Sequence, residues 1–208
     1  MTDDGLDHAR RAAGWAGIAL NPHQEALLVR YADWLNAEAM AAGALGPEEG
    51  VRIWSRHIAD SLTFAAGWRG CGRRESLLDL GSGAGLPGIP LAITHPETAV
   101  TLLDRSERRV ALTQRVIRII GLDNAETRIG AVERHAGTYA AVTMRAVIPL
   151  PGALDVVRRF LGPGGVGVIG ASRTGPPPVP CPSVTTLEIP AWVLDSPAWL
   201  LRMTCPTE

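Results

Sequence analysis

A dense run of glycines marks the part of the chain best suited to bind a ligand. Gly81, Gly83 and Gly85 occupy alternate positions directly after an apolar segment, residues 77–80, that contains Asp79. Glycine lets the backbone turn tightly and approach a ligand without an intervening Cβ, and a helix that starts after such a turn presents its backbone amides. The spacing predicts a strand, a ligand-binding turn and a helix. The alternative is a tight connection without a ligand.

The charge beside these glycines discriminates between two kinds of ligand. The spacing Gly83-x-Gly85-x-x-Gly88 also fits the fingerprint of dinucleotide-binding proteins. A carboxylate at Asp79 would repel a pyrophosphate, but it can support a ligand that carries ammonium and sulfonium charges. Together with the glycines, Asp79 resembles the first motif of class I S-adenosylmethionine-dependent methyltransferases. Asp104, at the end of the next predicted strand, could accept hydrogen bonds from ribose hydroxyls in either case.

Composition restricts the other function classes. The chain has 208 residues, 46% of them hydrophobic, which is enough for one sizeable core. Twenty basic against twenty-one acidic residues lack the basic excess of many nucleic-acid binders, so an RNA contact would need a local patch. Every basic residue is an arginine, which excludes lysine Schiff-base chemistry and a phosphate-loop lysine.

Cysteine and histidine usage predicts a reduced, metal-free protein. Cys71, Cys181 and Cys205 are far apart and form no CxxC pair, which suits a cytosolic chain better than a disulfide scaffold or a zinc site. None of the five histidines has metal-ligand spacing with another histidine or a cysteine. The sequence also lacks a secretion signal and a run of eighteen apolar residues, so a cytoplasmic location is expected.

Residues 1–75 have the pattern of a helical cap. Asn21-Pro22 is a helix start signal, and apolar residues follow it at three-and-four spacing. A second helix is predicted to begin at residues 47–49. Its apolar face would carry Val51, Trp54, Ile58 and Leu62, whereas Arg52, Arg56, His57 and Asp60 would lie largely off that face.

From residue 76 onward, short apolar runs alternate with glycine-rich turns and helical stretches, which is typical of a parallel, doubly wound sheet. The predicted strands are residues 77–80, 100–104, 126–131, 140–146 and 166–170, and residues 106–120 form a helix that ends at Gly121. A proline-rich loop, residues 176–182, precedes two strands at residues 184–189 and 199–203 that would pair antiparallel. We therefore expect an α/β, Rossmann-like domain over residues 76–208 as one compact unit.

An extension of the glycine block carries a more specific resemblance. With Leu86-Pro87-Gly88-Ile89-Pro90 included, residues 79–93 resemble the signature of bacterial 16S ribosomal RNA guanine-N7 methyltransferases, also called glucose-inhibited division protein B. Residues 46–62, GPEEGVRIWSRHIADSL, resemble the segment before the sheet in actinobacterial members of that family. Leu102-Leu103-Asp104, Arg108-Arg109 and Met144-Arg145-Ala146 continue the match in order, so that it covers about residues 21–170.

The resemblance implies an enzyme that transfers a methyl group from S-adenosylmethionine to guanine N7 in 16S rRNA or the 30S subunit. It places cofactor contacts at Gly81 and Leu86 and an adenine-side pair at Val132 and Glu133. It also makes Arg145, at the cofactor or acceptor end of strand four, the catalytic candidate. Guanine N7 has an available lone pair, so the transfer needs no general base and can depend on in-line positioning and exclusion of water.

Two departures from the family pattern lie near the expected acceptor. Met144 stands where the family usually has a serine, and residues 170–172 stand where strand five usually ends in Lys-Gly. Because phosphate contacts supply much of the affinity for RNA, a missing lysine weakens an RNA assignment. Arginines could form a basic rim instead, although a solvated helix face would look the same; they are Arg69, Arg73, Arg74, Arg105, Arg108, Arg109, Arg115 and Arg118.

Alternatives therefore remain for the substrate and for one residue. A paralogue could methylate a ring nitrogen of a small heterocyclic molecule, in a pocket narrowed by Met144. A noncatalytic cofactor binder and a dinucleotide oxidoreductase also fit the glycine spacing. Arg145 has a purely structural interpretation as well, a salt bridge to Asp79 or Asp104.

Overall fold

Seven strands form one sheet in the computed structural model, which describes residues 3–72, 74–145, 147–179 and 181–207. The strands are β1 (Ser76–Leu80), β2 (Ala99–Asp104), β3 (Ala125–Ile129), β4 (Tyr139–Arg145), β5 (Leu161–Ser172), β6 (Val184–Ile189) and β7 (Ala198–Thr204). Their order across the sheet is β3-β2-β1-β4-β5-β7-β6. Strands β1 to β5 are parallel, and β7 pairs antiparallel with β5 and β6. The predicted parallel sheet and its antiparallel C-terminal pair are confirmed.

Helices connect most of the parallel strands. They are α4 (Gly88–Thr94) after β1, α5 (Glu107–Ile120) after β2 and α6 (Leu150–Phe160) after β4, and the shorter α7 (Ala191–Leu194) lies between β6 and β7. The predicted helix α5 is confirmed together with its ends, because Ser106 caps its N-terminus and Gly121 adopts a left-handed conformation at its C-terminus. Helix α6 was not predicted, since the prolines at its start break the local helical pattern.

The N-terminal helices pack directly against the sheet domain. Helices α1 (Asp3–Ala16) and α2 (Pro22–Trp34) come first, and Asn21 and Gln24 form a reciprocal capping box that confirms the predicted start of α2. The Gln24 side-chain amide donates to the carbonyls of residues 93 and 94 at the end of α4. One apolar core contains residues of these N-terminal helices and of the sheet. The division into a cap, residues 1–75, and a methyltransferase-like domain, residues 76–208, therefore stays a prediction.

The segment before β1 is helical, but it does not follow a regular α-helix. It consists of a 3-10 turn (Gly50–Arg52), a π-helix (Ile53–Ala59), the short α3 (Asp60–Thr63) and a second 3-10 turn (Phe64–Trp68). A π-helix closes i→i+5 hydrogen bonds, so its buried face rotates away from the 3.6-residue period. The predicted face is therefore wrong at three positions: Val51 is 92% exposed, whereas His57 and Asp60 are buried.

The two faces of the sheet are covered by different apolar clusters. Leu77 of β1 joins the core shared with α1 and α2, and its neighbour Leu78 faces the cluster beneath α6. The predicted proline-rich loop has neither helix nor strand at its described positions, and Arg73, Ala146 and Pro180 lie outside the described residues. Within the described ranges, no helix is long and apolar enough to cross a membrane.

Candidate functional site

The turn after β1 can only be built with glycine at its exposed corners. Gly81 has φ 67° and Gly83 has φ 58°, a left-handed conformation that L side chains rarely adopt. A Cβ on Gly81 would lie 2.5 Å from Cγ2 of Val147, so only glycine lets the backbone lie this close to the Val147 side chain. A Cβ on Gly83 would meet nothing nearer than the Gly81 carbonyl oxygen, 3.9 Å away. The turn therefore has an open side at Gly83, where a ligand can approach the backbone.

Asp79 fixes the shape of this turn from inside the sheet. Its side chain is fully buried, its Oδ2 accepts a hydrogen bond of 2.9 Å from the Gly88 amide, and its Oδ1 accepts one of 2.9 Å from the Thr143 hydroxyl. Burial raises the pKa of Asp79 to about 7, although both hydrogen bonds and the nearby Arg145 act in the opposite direction. The carboxyl group of Asp79 has no exposed surface in this structure, and its predicted contact with a ligand stays a prediction.

Asp104 lies at the end of β2, beside the open side of the turn. Its Oδ2 accepts a hydrogen bond of 2.9 Å from the Gly83 amide, and its Oδ1 accepts one of 2.8 Å from the Ser106 amide. Each carboxylate oxygen has a second lone pair, so Asp104 can accept further hydrogen bonds from a ligand. The structure thus places this carboxylate where a ribose hydroxyl could reach it.

Six backbone amides of the turn and the helix start after it already bind groups of the protein. Those of residues 81 and 82 donate to the carbonyl of Leu103, and those of residues 85 and 86 donate to the carbonyl of Ser82. The Gly83 and Gly88 amides bind Asp104 and Asp79, as described above. A pyrophosphate needs such donors for itself. The turn therefore suits a ligand without a phosphate better than it suits a dinucleotide.

The other predicted cofactor contacts lie around the same turn. Leu86 is buried within it. Val132 and Glu133 belong to a 3-10 turn after β3 (Val132–Arg134), in which Val132 is half-buried and Glu133 is exposed. The preceding Gly130 amide donates to the Asp104 carbonyl, which keeps this segment next to the glycine turn. An adenine-side role for Val132 and Glu133 stays a prediction.

Arg145 forms a salt bridge, but with neither of the two predicted aspartates. It ends β4, and its Nη1 donates a 3.1 Å hydrogen bond to Oδ2 of Asp60. The other oxygen, Oδ1 of Asp60, lies 2.7 Å from Nη2 of Arg173. The proposed partners Asp79 and Asp104 are thus wrong, because both bind the turn and leave Asp60 as the carboxylate that Arg145 reaches.

This ion cluster opens into a cavity of about 510 Å³ beyond the carboxyl ends of β4 and β5. Its wall contains charged, aromatic and aliphatic side chains, among them Asp60, Arg145, Arg173, Phe64, Met144 and Trp199. The glycine turn is not part of this wall. Val147 packs against Gly81 and its neighbour Ile148 lines the cavity, so this segment joins the turn to the cavity.

His57 also lines the cavity and is oriented by an acidic residue. Its Nε2 lies 2.9 Å from Oε2 of Glu49. Burial lowers the pKa of His57, and the positive charge of Arg145 adds to this effect. Nδ1 of His57 is buried and has no hydrogen-bond partner among the described residues. Burial therefore disfavours the charged form of this imidazole, against the opposing effect of Glu49.

Comparison with known proteins now assigns the family. Residues 24–170 match the family described as rRNA small subunit methyltransferase G, which is well over half of the chain. The chain belongs to this family. It is 39% identical over 140 residues to the ribosomal RNA small subunit methyltransferase G of Acidothermus cellulolyticus, covering 67% of this chain and 62% of that relative. It is 38% identical over 148 residues to the one of Mycobacterium marinum, covering 71% and 63%.

The chain spans less than two thirds of the length of these two relatives. Among solved structures, a putative O-methyltransferase from Klebsiella pneumoniae superposes with a TM-score of 0.58, over 91% of this chain and 92% of that one. Its sequence identity is 13%, so the likeness concerns the fold alone. The predicted Rossmann-like α/β fold is confirmed for this member of the methyltransferase G family.

The sequence does not indicate that Asp60, Arg173 and Trp199 belong to a site. It places Asp60 largely off the apolar face, because the π-helical register cannot be read from the sequence. Arg173 and Trp199 lie beyond residue 170, where the match to the methyltransferase G family ends. A usable signal existed for Arg173, since ligand-binding residues tend to follow the carboxyl ends of parallel strands.

The predicted basic rim is only partly available for a ligand. Arg115 pairs with Glu38, and the guanidinium of Arg69 lies over the Trp15 ring at 5.4 Å. Both arginines therefore already have protein partners, which favours a structural interpretation of these two positions.

Proposed function

We propose that this chain transfers a methyl group from S-adenosylmethionine to N7 of a guanine in 16S rRNA. The observation that carries this proposal is the match of residues 24–170 to the rRNA small subunit methyltransferase G family, a span that contains the glycine turn and Arg145. The geometry of the site supports it, because an open glycine turn and a cavity lined by arginines adjoin at Val147.

The residues of the glycine turn fit the cofactor. Bound there, S-adenosylmethionine supplies an electrophilic methyl group on a positively charged sulfur. Gly81, Gly83 and Gly85 let the backbone approach it, and the free lone pairs of Asp104 accept hydrogen bonds from its ribose. Val132 and Glu133 flank the adenine side, and Leu86 contributes a buried apolar surface beneath the turn. Asp79 acts indirectly, by holding the turn in this shape.

The cavity residues fit an acceptor that needs positioning rather than deprotonation. Guanine N7 attacks with its own lone pair, so the protein has to orient the base and exclude water. Arg145 is the catalytic candidate, because it lies at the end of β4, next to β1 and its glycine turn, and Asp60 fixes its guanidinium. Buried Phe64 and Met144 form an apolar part of the cavity wall, which keeps water away from the acceptor.

Methyl transfer to isolated 30S subunits tests the proposal. The purified protein is incubated with subunits and cofactor labelled in its methyl group, and the rRNA is digested to identify the labelled nucleoside. We expect N7-methylguanosine. Transfer to no RNA, with cofactor binding retained in calorimetry, would reject the substrate and leave the cofactor assignment intact.

A second candidate substrate is a small heterocyclic molecule with a nucleophilic ring nitrogen. Met144, the residue before Arg145, contributes its side chain to the cavity wall and so narrows the cavity. The volume of about 510 Å³ is large enough for such a molecule. Parallel assays with free nucleosides and small heteroaromatic compounds distinguish the two candidates. Calorimetry with S-adenosylhomocysteine, NAD and NADP tests the cofactor separately, and we expect binding of the first alone.

A further inference from the structure

The cavity beyond β4 and β5 carries more positive charge than its acidic residues balance. Three guanidinium groups line it, those of Arg56, Arg145 and Arg173, whereas Asp60 is the one carboxylate among its described lining residues. Glu49, 3.7 Å from the guanidinium of Arg56, balances one more charge. One positive charge remains in excess. A cavity of this kind attracts an anionic ligand.

Of these groups, Arg173 is best placed to bind an anion that comes from outside. It follows β5, which lies two strands away from β1, whereas Arg145 ends the adjacent strand β4. Since neighbouring strands are about 4.8 Å apart, Arg173 lies farther from the glycine turn than Arg145 does. The Arg173 side chain is 30% exposed, against 19% for Arg145. Arg173 is therefore the more exposed of the two arginines and the farther one from the glycine turn.

An aromatic residue lines the same cavity as Arg173. Trp199, the second residue of β7, is half-buried and pairs in the sheet with Ser172, the residue directly before Arg173. Aromatic side chains stack on unpaired nucleobases, and arginine binds phosphate oxygens through two parallel donors. A guanidinium and an indole that line one cavity thus match the two parts of a nucleotide.

We infer that this cavity is a nucleotide-binding pocket in which Arg173 binds a phosphate of the acceptor RNA and Trp199 stacks on a base. The inference rests on the proposed function and adds to it the two residues that hold the acceptor. Asp60 is the counter-ion of Arg173 until the phosphate replaces it. Both residues lie outside residues 24–170, so they are features of this chain's C-terminal part.

Binding of a fluorescent single-stranded RNA that contains guanosine tests the inference without requiring methyl transfer. Each phosphate contact contributes about 0.7 to the slope of log affinity against log salt concentration for single strands. We expect Arg173→Gln to make this salt dependence shallower by about 0.7 and to lower the RNA affinity by about tenfold. Arg173→Lys should restore the slope, since it restores the charge. The matched control is Arg128→Gln, at an exposed ion pair on β3.

Two tryptophan variants test the stacking contact in the same assay. Trp199→Leu should weaken RNA binding about tenfold, whereas Trp199→Phe should keep most of the affinity. Trp192→Leu is the control, because Trp192 is 60% exposed on α7 and does not line the cavity. Equal affinities and slopes for the Arg173, Trp199 and control variants would overturn the inference.

Two further outcomes separate the inference from the proposed function. If Arg173→Gln weakens S-adenosylhomocysteine in calorimetry but leaves RNA binding unchanged, the excess charge serves the carboxylate of the cofactor, and the inference is wrong. If the parent protein methylates no RNA, the proposed function fails, whereas a changed salt slope in Arg173→Gln would still support the phosphate contact.

Discussion

The two halves of the site hold their aspartates in different ways. Asp79 and Asp104 accept hydrogen bonds from backbone amides of the glycine turn and of the helix starts that follow the strands. Asp60 instead binds two side chains, the guanidinium groups of Arg145 and Arg173. One half of the site is therefore built into the fold, and the other half is assembled from flexible side chains.

This difference indicates which half can change when a ligand binds. A backbone amide cannot leave its carboxylate without unfolding the turn, so the glycine turn is preorganised for its ligand. An arginine on a long side chain can exchange one anionic partner for another at little cost to the fold. We therefore expect mutations near the turn to affect folding and cofactor binding, and mutations in the cavity to affect the acceptor.

The largest effect is expected for Asp79→Ala. The substitution leaves the buried Gly88 amide and Thr143 hydroxyl without their partner, at a cost of about 1–3 kcal/mol for each group. Denaturant unfolding should show this loss, and calorimetry should detect no binding of S-adenosylhomocysteine. Asp79→Asn, which keeps the shape and can keep both hydrogen bonds, is the matched control. Cofactor affinity equal to the parent's in Asp79→Ala would show that the turn is not held by this residue.

A smaller and more selective effect is expected for Arg145→Ala. Loss of a charged donor near the reacting atoms should lower turnover by about a hundredfold, while the glycine turn stays intact. Turnover on 30S subunits should fall accordingly, and the affinity for S-adenosylhomocysteine should stay within about threefold of the parent's. Arg128→Ala serves as the control for a surface arginine. A parallel fall of turnover and cofactor affinity would place Arg145 in the cofactor site alone.

The pH dependence of stability should isolate the buried carboxyl of the turn. The folded pKa of Asp79 is raised to about 7 by burial, above the ordinary value of 3.8 that applies to the unfolded chain. Between about pH 4 and pH 7 the folded state therefore holds one more proton, so stability falls as the pH rises. Urea unfolding of the parent should show this fall relative to Asp79→Asn, by more than about 1 kcal/mol. Parallel pH profiles for the two proteins would contradict the raised pKa.

The same contrast explains how far the sequence could predict the site. The strands, the capped helix α5 and the glycine turn follow from local periodicity and from residue types such as Ser106 and Gly121. The sequence also indicates Asp79 and Asp104, because Asp79 comes two residues before Gly81 and Asp104 ends a predicted strand. The direct contact of Asp79 with a ligand stays a prediction. Its burial and its hydrogen bond to Thr143 of the adjacent strand β4 are tertiary features that local patterns do not show.

The cavity was beyond local reasoning for a different reason. Asp60 and its partners Arg145 and Arg173 are separated by 85 residues or more in the sequence, and one-dimensional patterns do not reveal such pairing. The π-helix at residues 53–59 also rotates His57 and Asp60 inward, against the face that an α-helical period predicts. Met144 and residues 170–172, where the resemblance predicts departures from the family pattern, all line this cavity.

The smallest effect, and the sharpest test of the contrast, is expected for Asp60→Asn. The variant keeps the size of the side chain, removes one negative charge from the cavity and frees Arg173 for a phosphate. RNA affinity at low salt should therefore rise by a fewfold with a steeper salt dependence, while turnover falls because Arg145 loses its fixed position. Anisotropy titrations and single-turnover assays measure the two effects separately. If RNA affinity instead falls as far as in Arg173→Gln, Asp60 contacts the nucleotide itself, and the cavity is as preorganised as the turn.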